Sequence, residues 1–328
     1  MNHRNKKILL LALPPDRVPP GGLEKLKTAA RGREVVPTAS KRQIEPLLEH
    51  VEIGIGEIPF SLIPRMPNLK WVQLWMAGAD RLQLYPQVKA HPFLLTNASG
   101  MHGRQLTEHI FALLLAWGRG LKRAITAQGK HEWLQLAPPE LPVLWGKTML
   151  ILGYGTIGKE TALAARAFGM NVTGIRRHAP PAVPEEPGNI RVEPPARILE
   201  LLPQADIVVN ILPLTPETAD SFGSREFGAM KAGALYMNVG RGATTDEDAL
   251  IDALREGRIA GALLDVVKKE PLPPDSPLWD MENVIITGHY AGLRENYDDL
   301  ALEIALDNLG RYLKGEPLRN LVDKNAGY

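Results

Sequence analysis

The strongest constraint on the fold is a glycine-rich turn near the middle of the chain, Gly153-Tyr154-Gly155-Thr156-Ile157-Gly158. An apolar run, Thr148–Leu152, precedes the turn, and an alanine-rich stretch, Lys159–Phe168, follows it. The run predicts a buried strand and the stretch predicts a helix. Glycines at this spacing permit a tight turn and let the backbone approach a pyrophosphate, which the helix N-terminus stabilises. The turn therefore predicts a dinucleotide-binding unit.

Apolar runs alternate with helical patterns along the rest of the chain. Further strands are predicted at Ile8–Leu13, Glu34–Val36, Val51–Ile55, Leu69–Leu74, Asn171–Ile175, Ile207–Leu212, Leu235–Val239, Gly261–Val266 and Val284–Thr287. Helices are predicted at Gly22–Ala30, Lys41–Glu49, Leu106–Arg123, Asp246–Glu256 and Asp298–Leu313, and a loop at Pro180–Pro187. This alternation is typical of α/β folds with doubly wound parallel sheets. A length of 328 residues suffices for about two such domains.

Composition narrows the possible functions. The chain has no cysteine, which excludes disulfides, thiolate nucleophiles, thiolate zinc sites and iron–sulfur clusters, and we expect no metal. It carries 38 Lys and Arg against 37 Asp and Glu, so the net charge of +1 predicts no nucleic-acid partner. The apolar runs Ile8–Leu13 and Ile110–Trp117 are too short for a secretion signal or a membrane span. We therefore expect a cytoplasmic protein with no membrane partner.

Basic residues follow the strand predicted at Asn171–Ile175. A site for NAD expects an acidic residue there, because a carboxylate binds the ribose 2′-hydroxyl. This chain has Arg176-Arg177-His178 instead, and no carboxylate occurs between Asn171 and Pro184. Guanidinium groups bind a 2′-phosphate through bidentate hydrogen bonds. The pattern predicts NADP as the cofactor, with NAD possible; the alternative is a solvated basic loop.

Three polar residues each lie just beyond the end of a predicted strand: Arg241, Glu270 and His289. Ligands of open α/β sheets bind at the carboxyl ends of the strands, so these side chains are expected in one crevice. An imidazole next to a carboxylate is a general acid–base pair, and an arginine can hold a substrate carboxylate. Beside a nicotinamide, this set predicts hydride transfer to a 2-keto acid. His109, in an apolar helix, is expected to be a packed core residue.

Longer segments carry a resemblance to a known family. They are PNLKWVQ from Pro67, AGAD from Ala77, GKTMLILGYGTIGKETALAARAFGMNV, LPLTPETAD, MKAGALYMNVGRG, LLDVVKKEPLPPDSPLW, NVIITGHYAG and LRNLVDKNAGY. Together they resemble the D-isomer-specific 2-hydroxyacid dehydrogenases over nearly the whole chain, and most of all the glyoxylate/hydroxypyruvate reductase branch.

The resemblance implies an architecture and roles for individual residues. It implies a Rossmann-like cofactor domain, 101–292, inserted into a flavodoxin-like substrate domain formed by 1–100 and 293–328, and a homodimer formed through Leu106–Trp145. Arg241 matches the catalytic arginine that binds substrate, Glu270 the partner of the catalytic histidine, and His289 the proton donor. Asp265 matches the aspartate that holds the nicotinamide carboxamide, and the backbone of Ala77 and Gly78 is expected to bind the substrate carboxylate. The predicted cofactor-binding residues are Gly153, Gly155, Thr156, Ile157, Gly158, Arg176, Arg177, Leu212, Pro213, Thr218, Val239, Gly240, Asp265 and Gly292.

The chain departs from the family at a few positions. Gly288 replaces the proline that usually precedes the histidine, and Arg176 replaces the usual aspartate. Trp75 and Met76 stand where small polar residues are common, and we expect them to form an apolar wall of the substrate pocket or, alternatively, to pack beneath the loop.

The expected activity is reduction of a small 2-keto acid, of the glyoxylate or hydroxypyruvate type, to the D-2-hydroxy acid with NAD(P)H. One alternative is a cofactor-sensing interaction protein related to transcriptional corepressors, which carry additional tails. Another is a dehydrogenase of 3-phosphoglycerate, formate or phosphite; many phosphoglycerate enzymes carry a further regulatory domain. We expect neither extension beyond Tyr328.

Overall fold

The structure is a computed structural model that describes residues 7–177 and 190–327. It divides into two compact units, one formed by the chain up to Met101 and from Arg294 onward, the other by His102–Leu293. Because both ends of the chain belong to the first unit, the second unit is an insertion into the first.

The strands and helices follow each other in alternation, as the sequence predicts. The strands are β1 Ile8–Ala12, β2 Glu34–Pro37, β3 Val51–Gly56, β4 Trp71–Leu74, β5 Leu94–Thr96, β6 Thr148–Leu152, β7 Asn171–Ile175, β8 Arg191–Glu193, β9 Ile207–Asn210, β10 Leu235–Asn238, β11 Gly261–Leu264 and β12 Val284–Ile286. The α-helices are α1 Gly22–Ala29, α2 Lys41–Ile44, α3 Pro86–Ala90, α4 Gly103–Gly118, α5 Leu121–Gln128, α6 Thr156–Ala167, α7 Ile198–Leu201, α8 Ser224–Ala229, α9 Glu247–Arg255 and α10 Tyr297–Lys314. Short 3-10 turns lie at Pro15–Arg17, Glu45–Leu47, Phe60–Arg65, Asp80–Leu84, Pro138–Glu140, Pro195–Arg197, Leu202–Gln204, Gly242–Thr244 and Pro277–Trp279.

The first unit is a five-stranded parallel sheet in the order β2-β1-β3-β4-β5. Every residue of β1 is fully buried, because successive side chains point to opposite faces and both faces are covered. Ile8 and Leu10 pack in the core on one face, whereas Leu9 and Leu11 pack on the other, where α10 contributes apolar residues. The uninterrupted apolar run in the sequence is thus the signature of a strand buried on both sides.

The second unit is a seven-stranded parallel sheet in the order β12-β11-β10-β9-β6-β7-β8. The chain starts in the middle with β6, moves outward to β7 and β8, and then continues from β9 on the other side. This reversal is the topological switch point of a doubly wound sheet, and it lies between β6 and β9. The predicted fold class, two parallel-sheet α/β domains of the Rossmann-like and flavodoxin-like kinds, is confirmed.

Two predicted helices are wrong in extent. The helix predicted at Leu106–Arg123 is two helices, α4 and α5, separated at Gly120, which adopts φ +64°. A Cβ at Gly120 would also lie 2.4 Å from the Leu136 side chain, so only glycine fits at this turn. The helix predicted at Lys41–Glu49 ends at Ile44 and continues as a 3-10 turn containing Pro46, which lacks the amide proton that a helix needs. The short strands β5 and β8 were not predicted, and the loop predicted at Pro180–Pro187 lies outside the described residues.

Candidate functional site

The glycine-rich turn lies at the switch point of the second unit, between β6 and α6. Gly153 has φ +99°, and a Cβ there would lie 2.8 Å from the carbonyl oxygen of Ile211. A Cβ on Gly158 would lie 2.7 Å from the carbonyl oxygen of Gly153, so this glycine permits close packing of helix against strand. Gly155 is different, because its Cβ would meet no described atom within 4 Å.

The packing of the protein therefore explains two of the three glycines but not Gly155. A bare backbone with open space in front of it, at the N-terminus of the twelve-residue helix α6, is what a pyrophosphate requires. Thr156 and Ile157 form the first turn of that helix. These residues fit a bound dinucleotide.

The basic pair lies at the end of β7, next to β6 in the sheet. Arg176 is exposed, and its backbone amide donates to the carbonyl of Glu193 at 3.0 Å. No carboxylate of the described chain forms an ion pair with its guanidinium. Arg177 lies 3.7 Å from the carboxylate of Glu217 and is thus already partly neutralised. His178, predicted next to them, lies outside the described residues.

Arg241 follows β10 in a turn that is stabilised by hydrogen bonds to its backbone. Its carbonyl accepts from the side-chain amide of Asn238 at 3.1 Å and from the hydroxyl of Thr244 at 2.7 Å. The next residue, Gly242, packs against the backbone of Val267 so tightly that a Cβ would lie 2.0 Å from the Val267 carbonyl carbon. This close approach brings the arginine turn against the segment that leads to Glu270.

Glu270 and His289 form a direct pair. The Nδ1 of His289 lies 2.6 Å from Oε2 of Glu270, whose Oε1 accepts from the amide of Val267 at 3.2 Å. An ionised carboxylate only accepts, so Nδ1 of the imidazole carries the proton of this bond. In the described chain, Nε2 of His289 has no hydrogen-bond partner, and the side chain is 47% exposed. The ring is therefore oriented through one nitrogen and available through the other.

Asp265 accepts hydrogen bonds from the backbone amides of His289 and the two residues that follow it. Its carbonyl accepts from the amide of His289 at 2.8 Å, and its carboxylate accepts from the amides of Tyr290 at 3.2 Å and Ala291 at 3.1 Å. His289 has φ +56°, a left-handed conformation that is uncommon for a residue with a side chain. Three consecutive amides bonded to one buried residue stabilise this conformation. Gly288, the departure from the family pattern, is exposed, and its Cβ position has space.

His102 was not predicted as a site residue, but it lies against Gly292 in the second unit. Burial, and then the positive charge of Arg241, lowers the pKa of His102 to about 4. A Cβ on Gly292 would lie 3.2 Å from the His102 ring, and the carbonyl of Gly292 accepts from the side-chain amide of Gln105 at 3.1 Å. A neutral imidazole thus lies against the loop that follows His289, close enough to Arg241 to experience its charge.

The remaining predicted cofactor residues lie at the ends of β9 and β10. The amide of Leu212 donates to the Asn210 side chain at 3.0 Å, and the hydroxyl of Thr218 donates to the carbonyl of Pro213 at 2.6 Å, which closes the loop on itself. Val239 is buried, and a Cβ on Gly240 would lie 2.8 Å from the carbonyl oxygen of Leu212. The ends of these two strands are therefore in backbone contact, at the carboxyl edge that carries the glycine-rich turn.

In the first unit, the predicted carboxylate-binding loop follows β4. The carbonyl of Ala77 accepts from the side-chain amide of Asn97 at 2.7 Å, and the carbonyl of Met76 accepts from the amide of Ala98 at 3.0 Å. Within the described ranges, no group accepts a hydrogen bond from the amides of Ala77 and Gly78. A loop whose carbonyls are bound and whose amides are available is suited to an anion.

The apolar wall predicted at Trp75 is wrong. Its side chain is 1% exposed, packs in the core of the first unit, and donates from Nε1 to Oδ1 of Asp298 at 2.7 Å. The indole is therefore turned into the unit that carries it. Met76 is partly exposed, and its place in the predicted wall stays a prediction.

His109 is packed as expected, with 14% of its side chain exposed and its ring against Tyr290, and it is hydrogen-bonded as well. Its Nε2 lies 2.9 Å from the hydroxyl of Thr287, which in turn donates to Oδ1 of Asp265 at 2.6 Å. Burial lowers the pKa of His109, against the opposing effect of Asp265, so the ring is neutral near neutral pH. The available signals were a histidine in an otherwise apolar helix and a threonine two residues before His289.

Comparisons with known proteins identify related sequences and structures. Residues 111–291 match the NAD binding domain of the D-isomer specific 2-hydroxyacid dehydrogenases. A D-3-phosphoglycerate dehydrogenase of Methanocaldococcus jannaschii is 35% identical over 263 residues, 80% of this chain and 49% of the relative, so this chain spans about half the length of that protein. A glyoxylate reductase of Thermococcus litoralis is 31% identical over 291 residues, 87% of this chain and 85% of the relative. The structure of an NADPH-dependent glyoxylate/hydroxypyruvate reductase from Sinorhizobium meliloti, in complex with NADP and sulfate, has a TM-score of 0.82 at 28% identity, covering 99% of this chain and 100% of that chain.

The second unit is the dinucleotide-binding domain of an oxidoreductase. It is a doubly wound sheet with the glycine-rich turn at its switch point and an acid–base pair at the same edge. The chain belongs to the D-isomer specific 2-hydroxyacid dehydrogenase family. In residues 7–177 and 190–327, no helix is both long and apolar enough to cross a bilayer, and no cluster of acidic and histidine side chains is arranged to hold a metal.

Proposed function

We propose that the protein reduces a small 2-keto acid, of the glyoxylate or hydroxypyruvate type, to the D-2-hydroxy acid with NADPH. The observation that carries this proposal is the Glu270–His289 pair, oriented at 2.6 Å through Nδ1 with Nε2 available. An imidazole held in this way by a carboxylate is a general acid for a carbonyl oxygen. The named activities of the Thermococcus and Sinorhizobium relatives support the substrate class.

The roles of the residues follow from their chemistry. The reduced nicotinamide, when bound, supplies the hydride that reaches C2 of the keto acid. His289 donates the proton from Nε2 to the carbonyl oxygen, and Glu270 stabilises the imidazolium before the transfer. Arg241 binds the substrate and polarises its carbonyl, while the amides of Ala77 and Gly78 bind the substrate carboxylate. Asp265 holds the carboxamide of the cofactor as well as the backbone of His289.

NADP is the proposed cofactor because the end of β7 carries Arg176 and Arg177 in place of a carboxylate. The pyrophosphate is bound by Gly153, Gly155 and the first turn of α6. The ends of β9 and β10 and the loop at Gly292 complete the dinucleotide site. The NADP complex of the Sinorhizobium reductase supports this choice.

We further propose a homodimer. Large apolar side chains are exposed in the arm after α4: Leu121 at 46%, Ile125 at 67%, Trp133 at 91%, Val143 at 60% and Trp145 at 77%. Within the predicted interface Leu106–Trp145, most apolar residues of the run Ile110–Trp117 pack in the core instead. Val143 and Trp145 line a groove of about 350 Å³ that also contains Leu115. Exposed apolar surface of this extent marks an interface, and a two-fold dimer is the commonest closed assembly.

A substrate screen tests the proposed function. Purified protein is mixed with NADPH or NADH and with a panel of 2-keto acids, and cofactor oxidation is followed by absorbance, with the chirality of the product determined by chromatography. The proposal expects turnover of glyoxylate or hydroxypyruvate, and a D-configured product from hydroxypyruvate. Cofactor binding without turnover of any substrate would favour the sensor alternative. In parallel reactions with NADP⁺ or NAD⁺, cofactor reduction by 3-phosphoglycerate, formate or phosphite, without turnover of any 2-keto acid, would favour the other dehydrogenases.

A further inference from the structure

A series of hydrogen bonds leads from His109, on helix α4, through Thr287 to Asp265, which follows β11. Thr287 has one hydroxyl proton and gives it to Oδ1 of Asp265 at 2.6 Å, because a carboxylate can only accept. The hydroxyl oxygen must therefore accept from His109 Nε2, 2.9 Å away. The neutral ring of His109 is thus fixed as the Nε2–H tautomer. His109 donates to Thr287, and Thr287 donates to Asp265.

We propose that His109 is a positioning residue for the proton donor. Acting through Thr287, it holds the Asp265 carboxylate in the orientation that binds the amides of Tyr290 and Ala291. Those two bonds, with the amide of His289 on the Asp265 carbonyl, keep His289 at φ +56° and aim its ring. The inference rests on the proposed function, in which His289 delivers the proton.

The surroundings of His109 support this role. The side chain is 14% exposed, and its ring meets the ring of Tyr290 edge-on, with centroids 5.4 Å apart. His109 therefore contacts the loop after His289 twice, through Tyr290 directly and through Thr287 and Asp265 by hydrogen bonds. Without its donor, Thr287 is free to rotate, and Asp265 loses the contact that selects its orientation.

The test compares variants that keep the packing but remove the hydrogen bonds. His109→Phe keeps an aromatic ring against Tyr290 without the donor, and Thr287→Val keeps the shape of the threonine without the hydroxyl. We expect kcat for keto acid reduction to fall about tenfold in both, since a small misplacement of a reacting group has effects of this order or larger. KM for the keto acid stays close to the parental value. Thr287→Ser restores most of the kcat lost in Thr287→Val.

His91→Phe is the matched control. His91 lies in the first unit, is half-buried, bonds from Nε2 to the carbonyl of Met66 at 3.1 Å, and meets Phe93 edge-on at 5.5 Å. Its replacement removes the same kind of donor and ring contact without touching Asp265, so stability changes while kcat does not. A parental kcat in His109→Phe would overturn the inference, as would a rise in KM alone or an equal loss of kcat in Thr287→Ser and Thr287→Val.

A second readout does not depend on turnover. The ring resonances of His289, assigned by comparison with His289→Gln, are expected to shift in His109→Phe and to stay in place in His91→Phe. If the parent turns over no keto acid, the proposed function fails, whereas these resonances still test the positioning of His289. Unshifted His289 resonances in His109→Phe would contradict the inference, whatever the activity.

Discussion

The preference for NADPH depends on Arg176 more than on Arg177. Arg176 is exposed and unpaired with any carboxylate of the described chain, whereas Arg177 lies 3.7 Å from Glu217. A charge-assisted bond contributes about 1.5–3 kcal/mol, which corresponds to roughly a ten- to hundredfold preference. Because solvent and salt screen an exposed guanidinium, we expect about tenfold in kcat/KM, mostly through KM.

Arg176→Ala is therefore expected to lower the ratio of kcat/KM for NADPH to that for NADH by about tenfold. Arg166→Ala is the matched control, since Arg166 is also exposed but bonds the carbonyl of Met170, at the opposite end of β7. Glu217→Gln removes the carboxylate that lies 3.7 Å from Arg177 and is expected to raise the NADPH preference. For each protein, the ratio of kcat/KM with NADPH to kcat/KM with NADH is measured from cofactor oxidation at low and at high salt. We expect this ratio to fall as the salt concentration rises. An unchanged ratio in Arg176→Ala, or equal activity of the parent with NADH, would show that these arginines do not contact the cofactor.

Two further predictions concern the glycine turn and the assembly. Gly155→Ala is expected to weaken NADPH binding, measured by fluorescence titration, with little change in the melting temperature, because its Cβ position is open. Gly153→Ala is expected to lower the melting temperature, because φ +99° and a carbonyl oxygen 2.8 Å from the Cβ both oppose a side chain; the reverse pattern would contradict the role of the turn. Light scattering is expected to give twice the chain mass of 36.1 kDa, and a combined Trp133→Ser, Trp145→Ser variant to give the mass of one chain. A parent with the mass of a single chain would refute the dimer.

Much of the fold could be predicted because its signals are local. The run of β1 is apolar at every position since both faces of its sheet are covered, and the glycine turn is defined within six residues. The positions of Arg241, Glu270 and His289 after consecutive strands also predicted a shared edge, because β10, β11 and β12 are neighbours in the sheet. Glu270 and His289 meet because the strands that precede them are neighbours in the sheet.

The errors arose where distant parts of the chain decide the outcome. The hydrogen bond of the packed His109 was missed because its partner Thr287 lies 178 residues further along the chain. Trp75 lies beyond the end of β4, where strand alternation gives no orientation, and Asp298 from α10 determines which way the indole points. The break at Gly120 is a change of backbone conformation to φ +64° beside Leu136, which helical periodicity cannot show.

The most direct test of the proposed mechanism is the reduction kinetics of His289→Ala beside the parent, with NADPH binding measured on both. The proposed mechanism predicts that kcat for glyoxylate or hydroxypyruvate falls by about 10²–10⁴, the usual contribution of a positioned acid, while NADPH affinity is unchanged. Near-parental turnover in His289→Ala would contradict it, because another group would then have to deliver the proton.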